Sequence, residues 1–260
     1  MRYLRLLRTF TTASLRSELE YRSNAIASVL MSLFWLGWAL GSVSIIYGYE
    51  DEIAGWSYQE TLVVVGLFYA MNGYRQAFIT PNVSRIGELV RTGSLDFLLL
   101  KPVSSQFMVT FRQVSVYNLA DPVIGVAVAL ALAGGGGHLT ASRLPAFAVL
   151  LGFGFLALHS LALLLHSATV WITSSTGADN LLKGSLEVAR IPLDFYPGPL
   201  RIVLMTVLPV GLATTVPARA LVGRVGWLDG LATVGLVVLL FVLASHVWRR
   251  ALESYTSAGG

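Results

Sequence analysis

Polar and charged residues in this chain are gathered into blocks instead of alternating with apolar ones. Uncharged runs occupy residues 25–46, 122–142, 144–178, 202–218 and 230–248. A helix needs about 20 residues to cross about 30 Å of hydrocarbon. The pattern therefore predicts an all-α membrane protein with six transmembrane helices, at 25–47, 59–79, 113–133, 145–171, 200–217 and 228–248. These spans and a distinct segment at 1–22 read as a single transmembrane domain over 1–260.

Composition removes the soluble alternative. The chain is 55% hydrophobic and 12% charged with mean hydropathy +0.69, far less charged than a soluble domain. The first apolar run is too long for the core of a cleavable signal peptide and is expected to stay in the mature protein. With no cysteine, disulfides, thiolate metal sites and lipidated thiols are excluded.

Lys and Arg then orient the spans. Fifteen fall on the side of the two ends and of the loops 80–113 and 174–201, while only Arg143, Arg219 and Arg224 fall opposite. By the positive-inside bias both termini and both long loops are cytoplasmic. The excess of basic residues behind the net charge of +4 is thereby explained without nucleic acid. The loop 47–58 carries Glu50, Asp51 and Glu52 and no base, and its Tyr47, Tyr49, Trp56 and Tyr58 suit an aromatic belt at the outer surface.

Three segments are predicted in more detail. In residues 1–20, Arg2, Arg5, Arg8 and Arg16 share one helical sector and Leu4, Leu6, Leu7 and Phe10 the other, the pattern of a helix lying in the membrane interface. Anionic lipid would hold such a helix at about 1 kcal/mol per basic side chain. In the loop 80–113, Thr80 and Pro81 can open a short helix, Gly93 can close it, and Ser94 can begin a second that ends before Pro102. The apolar run Leu95, Phe97, Leu98, Leu99 and Leu100 requires cover from a partner or the membrane surface. In the loop 174–201, i,i+4 pairs Asp179–Lys183 and Lys183–Glu187 extend the fourth span as a helix to about Ala189, and Pro192, Pro197 and Pro199 then turn the chain back.

Candidate chemistry is sparse. Arg75 and Asp121 are charges inside spans at similar depth, where each costs about 2.5–3.5 kcal/mol unless paired or wet. Asn72 and Asn118 can complete an intramembrane polar cluster with them. His159 and His166 lie on nearly one face of the fourth span and suit a substrate path or plain packing; about 10 Å apart, they cannot share a metal ion. Gly37 and Gly41 form a GxxxG pair that permits close helix contact. Pro209 and Pro217 can break the fifth span near the outer face, where a gate is expected. No catalytic constellation or metal-ligand set is present.

The stretch 86–102, I-G-E-L-V-R-T-G-S-L-D-F-L-L-L-K-P, resembles the cytoplasmic loop after the second span of the permease subunits of type-2 ABC exporters, the ABC-2-type transporter family. A-R-I-P-L-D-F-Y-P-G-P-L-R at 189–201, followed by the Leu208-Pro209 and Val216-Pro217 steps, resembles the same family. The resemblance implies a half-transporter of the bacterial inner membrane that pairs with a second permease, identical or similar. It would move an amphipathic or lipidic substrate outward using a separate ABC ATP-binding subunit. ATP and Mg would bind that partner, and no cofactor would bind this chain. It further implies a cytoplasmic coupling helix between spans two and three, contacting the ATPase through Arg85, Ile86, Glu88, Leu89, Val90, Arg91 and Thr92, with 1–22 as an amphipathic connecting helix. Consistent with a separate ATPase, the nearest approach to a phosphate loop, 177–185, has Leu182 where glycine is required. The alternative is a stand-alone secondary transporter or channel, for which inverted repeats and paired midplane charges are expected.

Overall fold

The computed structural model describes residues 2–19, 22–172 and 176–255. Helix α1, Arg2–Leu19, precedes α2, Arg22–Ile46. The loop that follows holds an antiparallel hairpin of β1, Glu52–Ile53, and β2, Trp56–Ser57, with Ile53 opposite Trp56. Its two turn residues, Ala54 and Gly55, have φ of 49° and 83°, the left-handed pair that a two-residue hairpin needs. Ser57 then caps α3, Tyr58–Tyr74, in a reciprocal capping box with Glu60, and one π-helical turn, Arg75–Ile79, extends it.

Four shorter helices and turns lie at the far end of α3. A 3₁₀ turn Val83–Arg85 leads into α4, Ile86–Arg91, which Gly93 terminates at φ 68°. Next come α5, Leu95–Leu99, and α6, Ser105–Phe111. A non-helical step precedes α7, Ala120–Gly135, so the third apolar segment is helical from Tyr117 and not from 113 as predicted. The chain continues through α8, Leu144–Ser167, and α9, Thr169–Ile172, then α10, Thr176–Val188. Last come α11, Gly198–Thr206; α12, Thr215–Val222; and α13, Trp227–Glu253.

Helix α3 is the centre of the molecule and is buried on nearly every face. It lies along α7 at short range because glycines remove the intervening side chains. A Cβ on Gly125 would strike the backbone of Ala70 and Gly66, and one on Gly73 would strike Asp121 and Pro122. Helix α8 packs against α13 on the other side. Among the described residues three helical stretches are long and apolar enough to cross a membrane, Tyr117–Gly135, Leu144–Ile172 and Trp227–Glu253, and the pair Gly198–Thr206 and Val210–Val222 passes the same test but is bent by 75°.

The bent pair corrects the sequence reading of 200–217 as a crossing. Just before it, Asp194 accepts a 2.8 Å hydrogen bond from Trp56 Nε1 and pairs with Arg201 at 2.9 Å and Arg219 at 2.5 Å. Just after it, Arg224 pairs with Glu60 at 2.8 Å and reaches the Gly55 carbonyl. Both limbs therefore begin and end at the hairpin end of the molecule. Between them the chain dips until Ala213 meets Gly154, well down α8. A re-entrant excursion replaces the fifth span.

Helix α10 corrects two further expectations. His166 Nε2 lies 2.9 Å from Asp179 Oδ1, a separation impossible if α8 ran on as one helix, because thirteen residues would place them about 20 Å apart. The chain instead reverses after α9. It climbs from Asp179 at the α4 end past Arg190, bonded to Ser42 at 3.1 Å, to Asp194 beside Trp56. The segment 174–201 is thus no one-sided loop, and Arg201 moves to the hairpin end while the basic bias of the α4 end persists. Trp56 likewise leaves the predicted aromatic belt: it is 2% exposed, with Arg224 over its ring.

Candidate functional site

The reversal of α10 creates a polar wall. Leu182, Ser185, Leu186 and Ala189 recur at three- and four-residue intervals and are buried. Asn180, Lys183, Gly184 and Glu187 fall on the opposite face and are exposed. Beside them α2, α3 and the start of α7 complete a cavity of about 550 Å³, whose charged lining is Arg75, Asp121, Lys183, Glu187 and Arg190.

The four residues expected as a polar cluster, Asn72, Arg75, Asn118 and Asp121, all line this cavity, and of them only Asn72 and Arg75 bond to each other. Asn72 Oδ1 accepts from Arg75 Nε at 3.2 Å and from Nη2 at 3.0 Å, while Nη1 donates to Thr80 at 3.2 Å. Asp121, 3% exposed, accepts from Ser32 and Tyr69, each at 3.1 Å. Asn118 donates to Ser115 at 2.9 Å. Arg75 and Asp121 form no ion pair with each other, because Arg75 is held by its chain neighbours Asn72 and Thr80 while Asp121 is held by Ser32 of α2 and Tyr69 of α3.

The two histidines are not on this wall. His159 is buried with Nδ1 3.1 Å from the Tyr74 hydroxyl and its ring stacked on Phe111. It floors a separate, mainly apolar cleft of about 420 Å³ that Tyr3, Phe107 and Phe241 also line. His166 sits between the Ala162 carbonyl, 2.8 Å from Nδ1, and Asp179. It fastens the reversed chain to α8. Among the described residues no group of three His, Asp or Glu side chains could hold a metal ion.

A second feature lies at the α4 end. Ile86, Leu89 and Val90, expected as partner contacts, turn into the core, whereas Arg85, Glu88, Arg91 and Thr92 face outward. On α5, Leu95 and Leu98 are buried but Phe97 and Leu100 are 71% and 82% exposed. The result is an apolar knob beside a charged helix face. On α2, Gly37 and Gly41 have no other side chain or backbone within 4 Å of an added Cβ, and Trp35 and Trp38 beside them are exposed, so this face also has no partner within the described chain.

Opposite the α4 end, the Asp194 cluster closes the hairpin end. Burial alone would raise its carboxyl, but the Arg219 and Trp56 hydrogen bonds and the charges of Arg219 and Arg201 hold it below the ordinary aspartate value. Sequence reasoning missed this cluster, and it missed Lys183, Glu187 and Arg190 as wall residues. The three- and four-residue spacing of Leu182, Ser185, Leu186 and Ala189 was the available signal.

A family model described as "ABC-2 family transporter protein" matches residues 33–259. No curated protein matches, and no solved structure does.

Proposed function

The chain belongs to the ABC-2 transporter family, and from that premise we propose that it is half of a paired exporter whose passage is closed by a second permease, identical or similar. Membership makes it a multi-pass membrane permease, the transport component of an ABC transporter system that includes an ATP-binding subunit.

The observation that carries the finer reading is the charged face of α10. Lys183 and Glu187 are exposed at levels bracketed by Asp179 at one end of the helix layer and Asp194 at the other. Two such side chains facing lipid would cost about 5–7 kcal/mol. A water-filled passage shared with a second copy removes that cost. In this arrangement the crossings are α2, α3 with its π turn, α7, α8 with α9, α10 together with the chain that follows it to Asp194, and α13. The 198–222 excursion forms a lid on the outer side, and the basic α4 end is cytoplasmic in a bacterial inner membrane, as are both termini.

The ATP-binding subunit docks on Arg85, Glu88, Arg91 and Thr92, with Phe97 and Leu100 entering an apolar hollow on it. ATP and Mg bind there. Closure of the two ATP-binding subunits pushes α4, and α4 transmits the push because Ile86, Leu89 and Val90 are rooted in the core beside α8 and α9. The polar wall with aromatic Trp35, Trp38 and Tyr69 along it suits an amphipathic or lipidic substrate moving outward.

The test is co-purification with the ATP-binding subunit and transport in sealed vesicles. The double charge reversal E88R/R91E is expected to abolish co-purification while leaving the isolated permease folded. Transport by the permease alone, without ATP-binding subunit or nucleotide, refutes the reading in favour of a stand-alone carrier.

A further inference from the structure

At the α4 end a cleft of about 560 Å³ opens between α1 and the segment that leads into α7, and Phe10, Ser14, Pro81, Arg85 and Arg112 contribute to its lining. Its walls are fixed by hydrogen bonds. Val114 N–H donates to Ser14 Oγ at 3.1 Å, Gln113 N–H donates to Asn82 Oδ1 at 2.9 Å, and Asn82 Nδ2 donates to the Gln113 carbonyl at 2.6 Å.

Two guanidinium groups share this cleft. Among the residues whose side chains are described, none supplies a carboxylate within ion-pair distance of either. Burial and then the charge of Arg85 push the Arg112 pKa down, as repulsion between like charges requires. An anion with several acceptor oxygens would relieve the repulsion, and the planar fork of arginine grips phosphate through paired N–H bonds. The cleft lies under α1, whose outer face carries exposed Arg5 and Arg8 and whose Phe10 packs on the core, so it opens where lipid headgroups would lie.

We propose that this cleft is a phosphate site, filled by the headgroup of an anionic phospholipid and gripped by Arg112 with Arg85. Arg85 also borders the docking face of α4, so Arg112 is the residue whose substitution isolates the cleft. The site stands whether or not an ATP-binding subunit docks on α4.

The experiment uses the full chain reconstituted in nanodiscs of phosphatidylcholine with phosphatidylglycerol, and counts retained lipids by native mass spectrometry. The wild type is expected to retain phosphatidylglycerol about tenfold more than R112Q, the loss of one charge-assisted contact of about 1.4 kcal/mol, with R112K in between. Unchanged thermal stability of R112Q in pure phosphatidylcholine establishes that the fold is intact, and if R112Q unfolds, R112K against wild type carries the comparison. Equal retention by wild type and variants overturns the lipid assignment. In that case inorganic phosphate is titrated into pure phosphatidylcholine nanodiscs: stabilisation of the wild type alone keeps the phosphate site with a soluble occupant, and no stabilisation overturns the site altogether.

Discussion

Trp56 and Asp194, 138 residues apart in the chain, meet through a hydrogen bond of 2.8 Å from the indole Nε1 to the carboxylate Oδ2. That contact joins the hairpin after α2 to the segment after α10, and it fixes the end of the molecule at which α10 finishes. With Arg201 and Arg219 on the same carboxylate, it also anchors the entrance of the re-entrant excursion.

Replacing Asp194 with Asn leaves Arg219 without its partner and is expected to cost about 2–3 kcal/mol, below the 3–5 of a fully buried pair because Arg201 is partly exposed. The carboxyl is held below its ordinary value, so its stabilisation is complete above the unfolded aspartate pKa of about 3.9 and fades as pH falls through the folded value. The gap in thermal midpoint between wild type and D194N should stay constant from about pH 7 to 5 and shrink below about pH 4. A gap that widens on acidification would contradict this.

The chain contains no cysteine, so single cysteines report sidedness directly. Arg201→Cys and Ser57→Cys are expected to react with a membrane-impermeant maleimide from one side of oriented vesicles, and Glu88→Cys only from the other. Opposite-side labelling of positions 57 and 201 would restore a fifth crossing at 200–217.

The same reagent distinguishes a wet wall from a lipid-facing one. Glu187→Cys on α10 is expected to label readily, whereas Leu239→Cys on α13, 63% exposed within the chain, is expected to label slowly because hydrocarbon covers it. Equal rates at both positions would remove the argument for a water-filled passage.

Gly125→Ala forces a methyl group against the Ala70 and Gly66 backbone and is expected to lower stability by about 1–3 kcal/mol. Gly37→Ala meets nothing within 4 Å and should leave the thermal midpoint of the isolated chain unchanged. A thermal scan of both in detergent decides the matter.

The local features were legible in the sequence because each depends on neighbours in the chain. Gly93 ends α4 because a left-handed residue is needed there, and Pro102 follows α5 because the ring forbids continuation. The gathering of Asn72, Arg75, Asn118 and Asp121 on one cavity followed from their matching levels on adjacent helices. The pairing of Arg75 with Asp121 did not follow, since Asn72 and Tyr69 are nearer partners. Helix α10 was illegible to any search for uncharged runs, as its exposed face carries Lys183 and Glu187.

By itself the sequence determined that the chain is helical, multi-pass and confined to a bilayer, and that its basic residues crowd one end. Those properties are sums over local composition, and hydrocarbon imposes them residue by residue. Only the tertiary structure decided that 198–222 turns back, that the segment from Asp179 to Asp194 runs from the α4 end to the hairpin end, and that Trp56 is core. Each of those rests on a contact between distant segments, Asp194 with Trp56, His166 with Asp179 and Arg224 with Glu60. Their pairing energies depend on where the chain has already been brought by packing, which no window along the sequence contains.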